Sequence, residues 1–318
     1  MAWGKEVIGD PLNIEGEMVK GAAIGDEPAT GALGQGIGNE LVRRTSNMGW
    51  TVLTGEFSGQ STTVGDCSTA WGTCTSQFDT EAEIKRIVEW LTMLKKSGCK
   101  GVVLGLSGGK DSTIVAMLAV KAWGKDNVHG LIMPNRSWDD VEDAMSIART
   151  LGIEYTIQPI RSAYNAVTDN FHVSEQAATN IAPRLRMTAL YAYAQTRGLR
   201  VIGTGNRSER YIGWCTKHGD MACDFNPIAH LTCGQVIEIG LALADNFGLD
   251  SKYIVKTPAD GLTGASDEDN FGFTYEQLDN YILKGTSGSK KVDKKISHMH
   301  DTTAHKLQMP AILADYCD

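Results

Sequence analysis

A buried-strand pattern, a glycine-rich loop and a helical pattern follow one another between residues 101 and 124. The apolar run 101–106 leads directly into Ser107-Gly108-Gly109-Lys110-Asp111-Ser112, and helical spacing continues from about Asp111 to Trp123, before Gly124. Backbone N–H groups at the start of a helix point toward a bound anion, and the helix dipole favours negative charge there. This junction therefore predicts a phosphate-binding loop.

Strand and helix patterns go on alternating along the chain. Thr80 and Glu83 have capping-box spacing and predict a helix that ends at Gly98. Buried-strand patterns lie at 101–106, 128–133, 153–157 and 199–203, with helical patterns at about 111–123, 137–152 and 183–197 between them. This alternation predicts an α/β fold with a doubly wound parallel sheet and flanking helices. Ligands of such sheets bind where the strand order reverses.

The first 78 residues differ from the rest in composition. They contain 14 of the 35 glycines of this 318-residue chain and show neither helical nor strand periodicity. Composition predicts a loosely ordered, irregular N-terminal extension over 1–78 and a single domain over 79–318. An alternative is that the extension docks on the domain or on a neighbouring subunit.

Charge and cysteine usage exclude some classes of function. The net charge of −8 and the sequence pI of about 5.4 argue against a nucleic-acid partner. We expect no membrane partner, because no apolar run approaches the roughly 20 residues of a membrane helix and the N-terminus lacks a signal-peptide core. Seven scattered cysteines without a CxxC pair argue against structural zinc and favour a reducing, cytoplasmic setting.

The glycine-rich loop fits neither of the two common nucleotide motifs. It lacks the Walker A spacing, and the order Gly105-Leu106-Ser107-Gly108 breaks the G-x-G-x-x-G register. The loop instead resembles the S-G-G-x-D-S loop of ATP pyrophosphatases, which cleave ATP between the α and β phosphates. Asp111 would then hold Mg²⁺, which prefers carboxylate and phosphate oxygens. Lys110 fills the variable position, where a solvated side chain is one interpretation.

Motifs in the second half of the chain are more specific. They are Pro183-Arg184-Leu185-Arg186, Gly203-Thr204-Gly205-Asn206-Arg207-Ser208-Glu209, the segment from Thr216-Lys217 to Asp224, Asp267-Glu268-Asp269, and His305-Lys306. In this order and spacing they resemble the NAD synthetase family, from about residue 79 to residue 316. The Lys-, Gly- and Ser-rich stretch 284–295 before His305 is interpreted as a mobile lid.

The resemblance implies a ligase that uses ATP and ammonia to convert deamido-NAD (nicotinate adenine dinucleotide) to NAD. It also implies that an adenylated intermediate forms, that AMP and pyrophosphate are released, and that the enzyme is a cytoplasmic homodimer. The implied ATP-binding residues are Gly105, Leu106, Ser107, Gly108, Gly109, Lys110, Asp111, Ser112 and Thr204. Mg²⁺ would be held by Asp111 and Glu209, and deamido-NAD by Arg184, Lys217, Asp224, His305 and Lys306. No covalent or acid–base catalytic residue is expected.

Two positions depart from the family pattern on the ATP side. Cys233 stands where the family usually has a lysine that helps hold the ATP phosphates, and Ala259 replaces a Ser or Thr. Arg207, Lys110 and His230 are the candidates to compensate for the lost charge. If the charge is missing, Cys233→Lys should lower the apparent KM for ATP.

The nitrogen donor is expected to be free ammonia, or ammonia from a separate protein. Residue 2 is Ala, Cys67 and Cys74 lie in Ser/Thr/Gly-rich sequence, and 78 residues are too few for a glutamine amidase domain. Two rival functions stay open. One is another adenylate-forming ligase of the superfamily, such as a guanylate synthetase or tRNA thiolase. The other is a weakly active homologue that binds the dinucleotide.

Overall fold

The computed structural model describes residues 78–96, 98–135, 139–170, 172–256 and 266–309. The predicted extension over 1–78 and the Ala259 substitution lie outside these ranges, apart from Phe78. Within them, no helix is both long and apolar enough to cross a membrane.

A four-stranded parallel sheet forms the centre of the described residues. The strands are β1 (Val102–Gly105), β2 (Val128–Ile132), β3 (Glu154–Ile157) and β4 (Arg200–Val201), in the order β3-β2-β1-β4. On β1, Val102 is in register with Val128 of β2 on one side and with Arg200 of β4 on the other. The predicted doubly wound α/β fold is confirmed, and its strand order reverses between β1 and β4.

The described ranges contain twelve α-helices: α1 (Thr80–Lys96), α2 (Lys110–Trp123), α3 (Asp139–Leu151), α4 (Arg161–Thr168), α5 (Glu175–Thr179), α6 (Ile181–Arg197), α7 (Arg207–Tyr211), α8 (Cys233–Phe247), α9 (Lys252–Val255), α10 (Asp267–Phe271), α11 (Tyr275–Lys284) and α12 (Lys290–Thr303). Two 3₁₀ turns, Lys125–Asn127 and Ala304–Lys306, complete the order.

Both faces of β1 are covered, which explains its continuous apolar run. Val102 and Leu104 face a core formed largely by α1, α2, α3 and α8, whereas Val103 faces a smaller core with residues of α4 and α6. All three side chains are fully buried. The ends of β1 and β4 are thereby fixed side by side, and the loops that follow them meet at the carboxyl edge.

A third apolar cluster joins the C-terminal helices to the start of α8. Phe271, Phe273, Leu278 and Ile296 pack there with Cys233. The stretch 284–295, interpreted as a lid, contains the end of α11, a turn and the start of α12. Asp293 fixes the turn by accepting hydrogen bonds from the backbone N–H and the hydroxyl of Ser287.

The start of α1 also differs in detail from the prediction. Asp79, rather than Thr80, caps the helix, because its Oδ1 accepts a hydrogen bond from the Ala82 N–H at 3.0 Å. Glu83 is then free of a capping role and pairs with Arg86 and with His230, which lies just before α8.

Candidate active site

The phosphate loop between β1 and α2 is held in shape by its own serines. The Ser112 hydroxyl lies 3.1 Å from both the Ser107 hydroxyl and the Gly109 carbonyl oxygen, and the Ser107 hydroxyl accepts from the Gly109 N–H at 3.2 Å. Gly108 has φ 79°, and a Cβ there would lie 2.8 Å from the Asp140 carbonyl oxygen. The motif therefore needs glycine at 108 for both conformation and space.

Asn206 connects the two carboxylates that the sequence assigns to a metal. Its Nδ2 donates to Asp111 Oδ1 at 3.2 Å, across 95 residues of sequence. Asn206 is also the N-cap of α7, where its Oδ1 accepts from the Glu209 N–H and its own N–H donates to Glu209 Oε2. The structure thus brings Asp111 and Glu209 together at the switch point of the sheet.

The charges of these groups are strongly coupled. Burial raises the pKa of Glu209, and the neighbouring Asp111 carboxylate raises it further. Two carboxylates beside a phosphate loop are the donor set that Mg²⁺ prefers, since this ion usually binds one or two carboxylates together with substrate phosphates. The residues present therefore fit the implied Mg²⁺.

Lys110 is buried, so the interpretation that it is solvated is wrong. Its side chain is 3% exposed and its Nζ lies 2.6 Å from Asp111 Oδ2. The Tyr275 ring covers it at 5.7 Å from Nζ to the centroid, and the Tyr275 hydroxyl donates to Asp267. Helical geometry turns the first residue of α2 inward, under the loop.

Thr204 follows β4 on the same edge of the sheet. The Gly203 N–H before it donates to the Phe225 carbonyl oxygen at 2.8 Å, and a Cβ at 203 would lie 2.6 Å from Cys223 Sγ. The Gly205 carbonyl oxygen accepts from Asn226 Nδ2. Thr204 is therefore held between two fixed glycines, beside the strand that carries the phosphate loop.

Four of the five residues assigned to deamido-NAD form a second group. Arg184 Nε donates to the Lys217 carbonyl oxygen at 3.3 Å, and Lys217 Nζ donates to the His305 carbonyl oxygen at 2.7 Å. Lys306 Nζ donates to the carbonyl oxygens of Gly213 and Cys215. The last turn of the described chain is thereby joined to α6 and to the segment after α7.

Asp224 lies at the edge of the sheet, next to β4. Its Oδ2 accepts from the Val201 N–H at 2.7 Å and its own N–H donates to the Val201 carbonyl oxygen. Arg186, two residues from Arg184, donates to the Met133 carbonyl oxygen. Arg184 and Arg186 thus have different partners, and Arg186 binds the residue that follows β2.

Ser208 and Asp279 belong to this region but were missed from the sequence. The Ser208 hydroxyl donates to Asp279 Oδ1 and accepts from the Cys233 N–H, while Asp279 Oδ2 accepts from the Gly234 N–H. These two side chains bind N–H groups at the start of α8, which have no partner within the helix itself. Thr232 and Gln235 form a capping box at the start of α8, but no local sequence pattern links this helix start to Asp279.

Comparison with known proteins identifies the family of this chain. The chain matches the NAD synthase family over residues 83–310. The NH(3)-dependent NAD(+) synthetase of Finegoldia magna is 41% identical over 217 residues, 66% of this chain and 88% of that protein.

Two solved structures have the same fold. The NMN synthetase from Francisella tularensis is 35% identical with a TM-score of 0.67, and the match covers 74% of this chain and 99% of that one. The NH3-dependent NAD synthetase from Campylobacter jejuni is 32% identical with a TM-score of 0.61, covering 74% and 100%. With its phosphate loop, its paired carboxylates and these relatives, the chain belongs to the NAD synthase family.

Proposed function

We propose that this protein is an ammonia-dependent NAD synthetase, which amidates deamido-NAD with ATP as co-substrate. The observation that carries the proposal is the Asn206 bridge between Asp111 and Glu209 beside the phosphate loop. A chain of the NAD synthase family with this site has the parts needed to activate a carboxylate by adenylation.

The proposed reaction has two steps. The nicotinate carboxylate attacks the α-phosphorus of ATP, and the bond to the β-phosphate oxygen breaks to release pyrophosphate. Ammonia then attacks the activated carbonyl carbon, loses a proton, and displaces AMP. Positioning and charge neutralisation supply most of the catalysis when two polyanions meet.

The chain's own groups account for binding of ATP. The loop residues 105–112 present backbone N–H groups and the N-terminus of α2 to phosphate oxygens, and Thr204 lies on the adjacent strand end. Asp111 and Glu209 would hold Mg²⁺, which when bound supplies neutralisation of the phosphate charge.

The second group of residues would bind deamido-NAD. Arg184, Lys217 and Lys306 place positive charge around the 3₁₀ turn that carries His305, and Asp224 lies beyond β4. A dinucleotide with two phosphates suits such a cationic group, because charge-assisted hydrogen bonds to phosphate are among the strong ones.

Ammonia is the nitrogen donor in this proposal, as the name of the Finegoldia magna relative states for that protein. The test is NAD formation by the full chain from deamido-NAD, ATP and Mg²⁺, with either ammonium or glutamine. We expect NAD, AMP and pyrophosphate in equal amounts with ammonium. Equal activity with glutamine would contradict the proposal that ammonia is the nitrogen donor. Absence of pyrophosphate among the products would contradict the proposed ligase reaction.

A second candidate is amidation of the mononucleotide, favoured by the similarity to the protein named NMN synthetase. The same assay with nicotinate mononucleotide in place of deamido-NAD separates the two. A higher kcat/KM for the mononucleotide would assign the chain to NMN synthesis, whereas we expect deamido-NAD to be preferred.

The family resemblance also supports a cytoplasmic homodimer and an N-terminal extension that is not part of the synthetase domain. Sedimentation velocity tests the dimer. The NAD assay repeated on a chain that starts near Asp79 tests the extension, and we expect the shorter chain to keep the synthetase activity.

A further inference from the structure

The ammonium group of Lys110 lies in an enclosed space beneath the phosphate loop. Its side chain is 3% exposed, and Nζ lies 2.6 Å from Asp111 Oδ2. The effective penalty for burying an ion is several kcal/mol, so a lysine this enclosed needs an anion beside it. Lys110 therefore has an electrostatic role in this site, unlike Lys121, which is exposed on the same helix.

The groups around Lys110 are fixed by packing. Its Nζ lies between Asp111 Oδ2, at 2.6 Å, and the Tyr275 ring, whose centroid is 5.7 Å away. Tyr275 packs in the third apolar cluster with Cys233, the first residue of α8, which is 2% exposed. The wall that Cys233 forms on this side therefore carries no positively charged side chain.

The position of this ammonium is next to the proposed triphosphate site. Lys110 is the first residue of α2 and directly follows Gly109, whose backbone faces the anion-binding end of that helix. Its partner Asp111 is 19% exposed, so the ion pair reaches the surface of the site at the carboxylate. The Lys110 ammonium is therefore joined, through Asp111, to the side of the loop at which ATP is proposed to bind.

We propose that Lys110 is the resident cation of the ATP site, which holds Asp111 before ATP binds and pairs with the ATP phosphates afterwards. This inference rests on the proposed function. It also explains Cys233, because a second ammonium on that wall would be repelled by the first, whereas a small neutral side chain leaves room for it. The positive charge is supplied from the loop itself.

If the Lys110–Asp111 ion pair only stabilised the fold, replacement of Lys110 would leave ATP binding unchanged. Replacement of a buried ion pair by apolar groups is often neutral for stability, but loss of a charge that binds phosphate weakens ATP binding. Titration calorimetry with ATP, with and without Mg²⁺, measures that affinity directly on the full chain. The variants are Lys110→Met, Cys233→Lys, the double variant with both changes, and Lys121→Met as the matched control.

We expect Lys110→Met to weaken ATP binding by about 10- to 100-fold, the range of a charge-assisted hydrogen bond, and Lys121→Met to change it less than twofold. Cys233→Lys should also weaken binding, because it places two ammonium groups in one space. The double variant moves the charge to the opposite wall and should bind ATP more tightly than either single variant.

Two results would overturn the role of Lys110. One is wild-type ATP affinity in Lys110→Met, and the other is tighter binding in Cys233→Lys, which would show that the site lacked a cation. The second comparison keeps Lys110 in place, so it decides the matter even if Lys110→Met does not fold. A wild-type chain that fails to bind ATP would instead overturn the proposed function, and this inference with it.

Discussion

Asn206 Nδ2 donates a hydrogen bond to Asp111 Oδ1 over 3.2 Å, and so joins the loop after β4 to the loop after β1. The same side chain caps α7, where Glu209 closes the reciprocal bond. Asn206 therefore orients both carboxylates of the candidate metal site, that of Asp111 through its side-chain amide and that of Glu209 through its backbone N–H. Neither bond alone would fix one carboxylate relative to the other, so the orientation of the pair depends on both bonds.

Replacement of Asn206 tests this arrangement. Asn206→Ala removes the cap of α7, which should cost about 1 kcal/mol of stability, and it releases the Asp111 carboxylate. Partners that orient metal ligands typically contribute about 10- to 100-fold to affinity or activity, and we expect a kcat loss of that size in the NAD assay.

The matched control is Asn246→Ala, on an exposed part of α8, where the side chain donates to the Ala242 carbonyl oxygen of the same helix. It should leave kcat within twofold of wild type. A kcat for Asn206→Ala equal to that of Asn246→Ala would contradict the orienting role of Asn206.

A comparison of Gly108 with Gly124 distinguishes the effect of backbone conformation on stability from the effect of steric space. Both have φ 79°, but a Cβ at 108 would lie 2.8 Å from the Asp140 carbonyl oxygen, whereas a Cβ at 124 meets nothing within 4 Å. Gly124→Ala should cost about 1–3 kcal/mol, because Gly124 has φ 79° and ψ 151°, a backbone conformation that other residues rarely adopt. Gly108→Ala should cost about 1–3 kcal/mol more, as for an overpacked site. Thermal unfolding of both variants measures the difference, and equal melting temperatures would rule out the steric constraint.

Replacement of Lys217 tests whether the proposed deamido-NAD site is separate from the proposed ATP site. Its Nζ binds the His305 carbonyl oxygen at 2.7 Å, away from the phosphate loop in sequence and in its contacts. Lys217→Met should raise KM for deamido-NAD about tenfold or more, the effect of one charge-assisted hydrogen bond. KM for ATP should change less than twofold. Steady-state kinetics with each substrate varied in turn measure both, with exposed Lys121→Met as the control.

The hydrogen bonds of the Glu83 carboxylate lead us to expect that the protein loses stability in acid. Burial would raise the pKa of Glu83, but hydrogen bonds from His230 and Arg86 outweigh it and lower the pKa from 4.5 to about 2. A lowered folded-state pKa gives stability that is complete above pH 4.5 and is lost as the pH falls toward 2. The contribution is up to about 3 kcal/mol at neutral pH.

The check is the difference in free energy of unfolding between wild type and Glu83→Gln, measured from pH 7 down to pH 3. The difference should be constant above about pH 5 and shrink below it. Exposed Glu81→Gln on the same helix is the control. A difference that grows as the pH falls would have the wrong sign for a lowered pKa.

The central fold and the phosphate loop could be predicted because their signals are local. A buried strand, two glycines and a helix start occupy adjacent positions, and the structure places α2 at Lys110–Trp123, within one residue of the prediction. Family membership followed from several such local motifs in a fixed order. The residue-level roles assigned by resemblance stay proposals.

Long-range contacts could not be predicted in this way. Asp279 binds the start of α8 from 45 residues away, and Lys110 is buried by Tyr275, which lies far along the chain. The helix α12 did leave a signal that was overlooked. Val292, Ile296 and Met299 recur at spacings of four and three, and they pack into the third apolar cluster.

The acceptors for Lys217 and Lys306 are main-chain carbonyl oxygens, those of His305, Gly213 and Cys215. Main-chain atoms are the same whichever side chain a residue carries. The imidazole of His305 and the thiol of Cys215 can therefore be replaced without removing the atoms that Lys217 and Lys306 bind. The side chains at this end of the protein, including that of His305 in the proposed deamido-NAD site, can change one at a time while both lysines keep their partners.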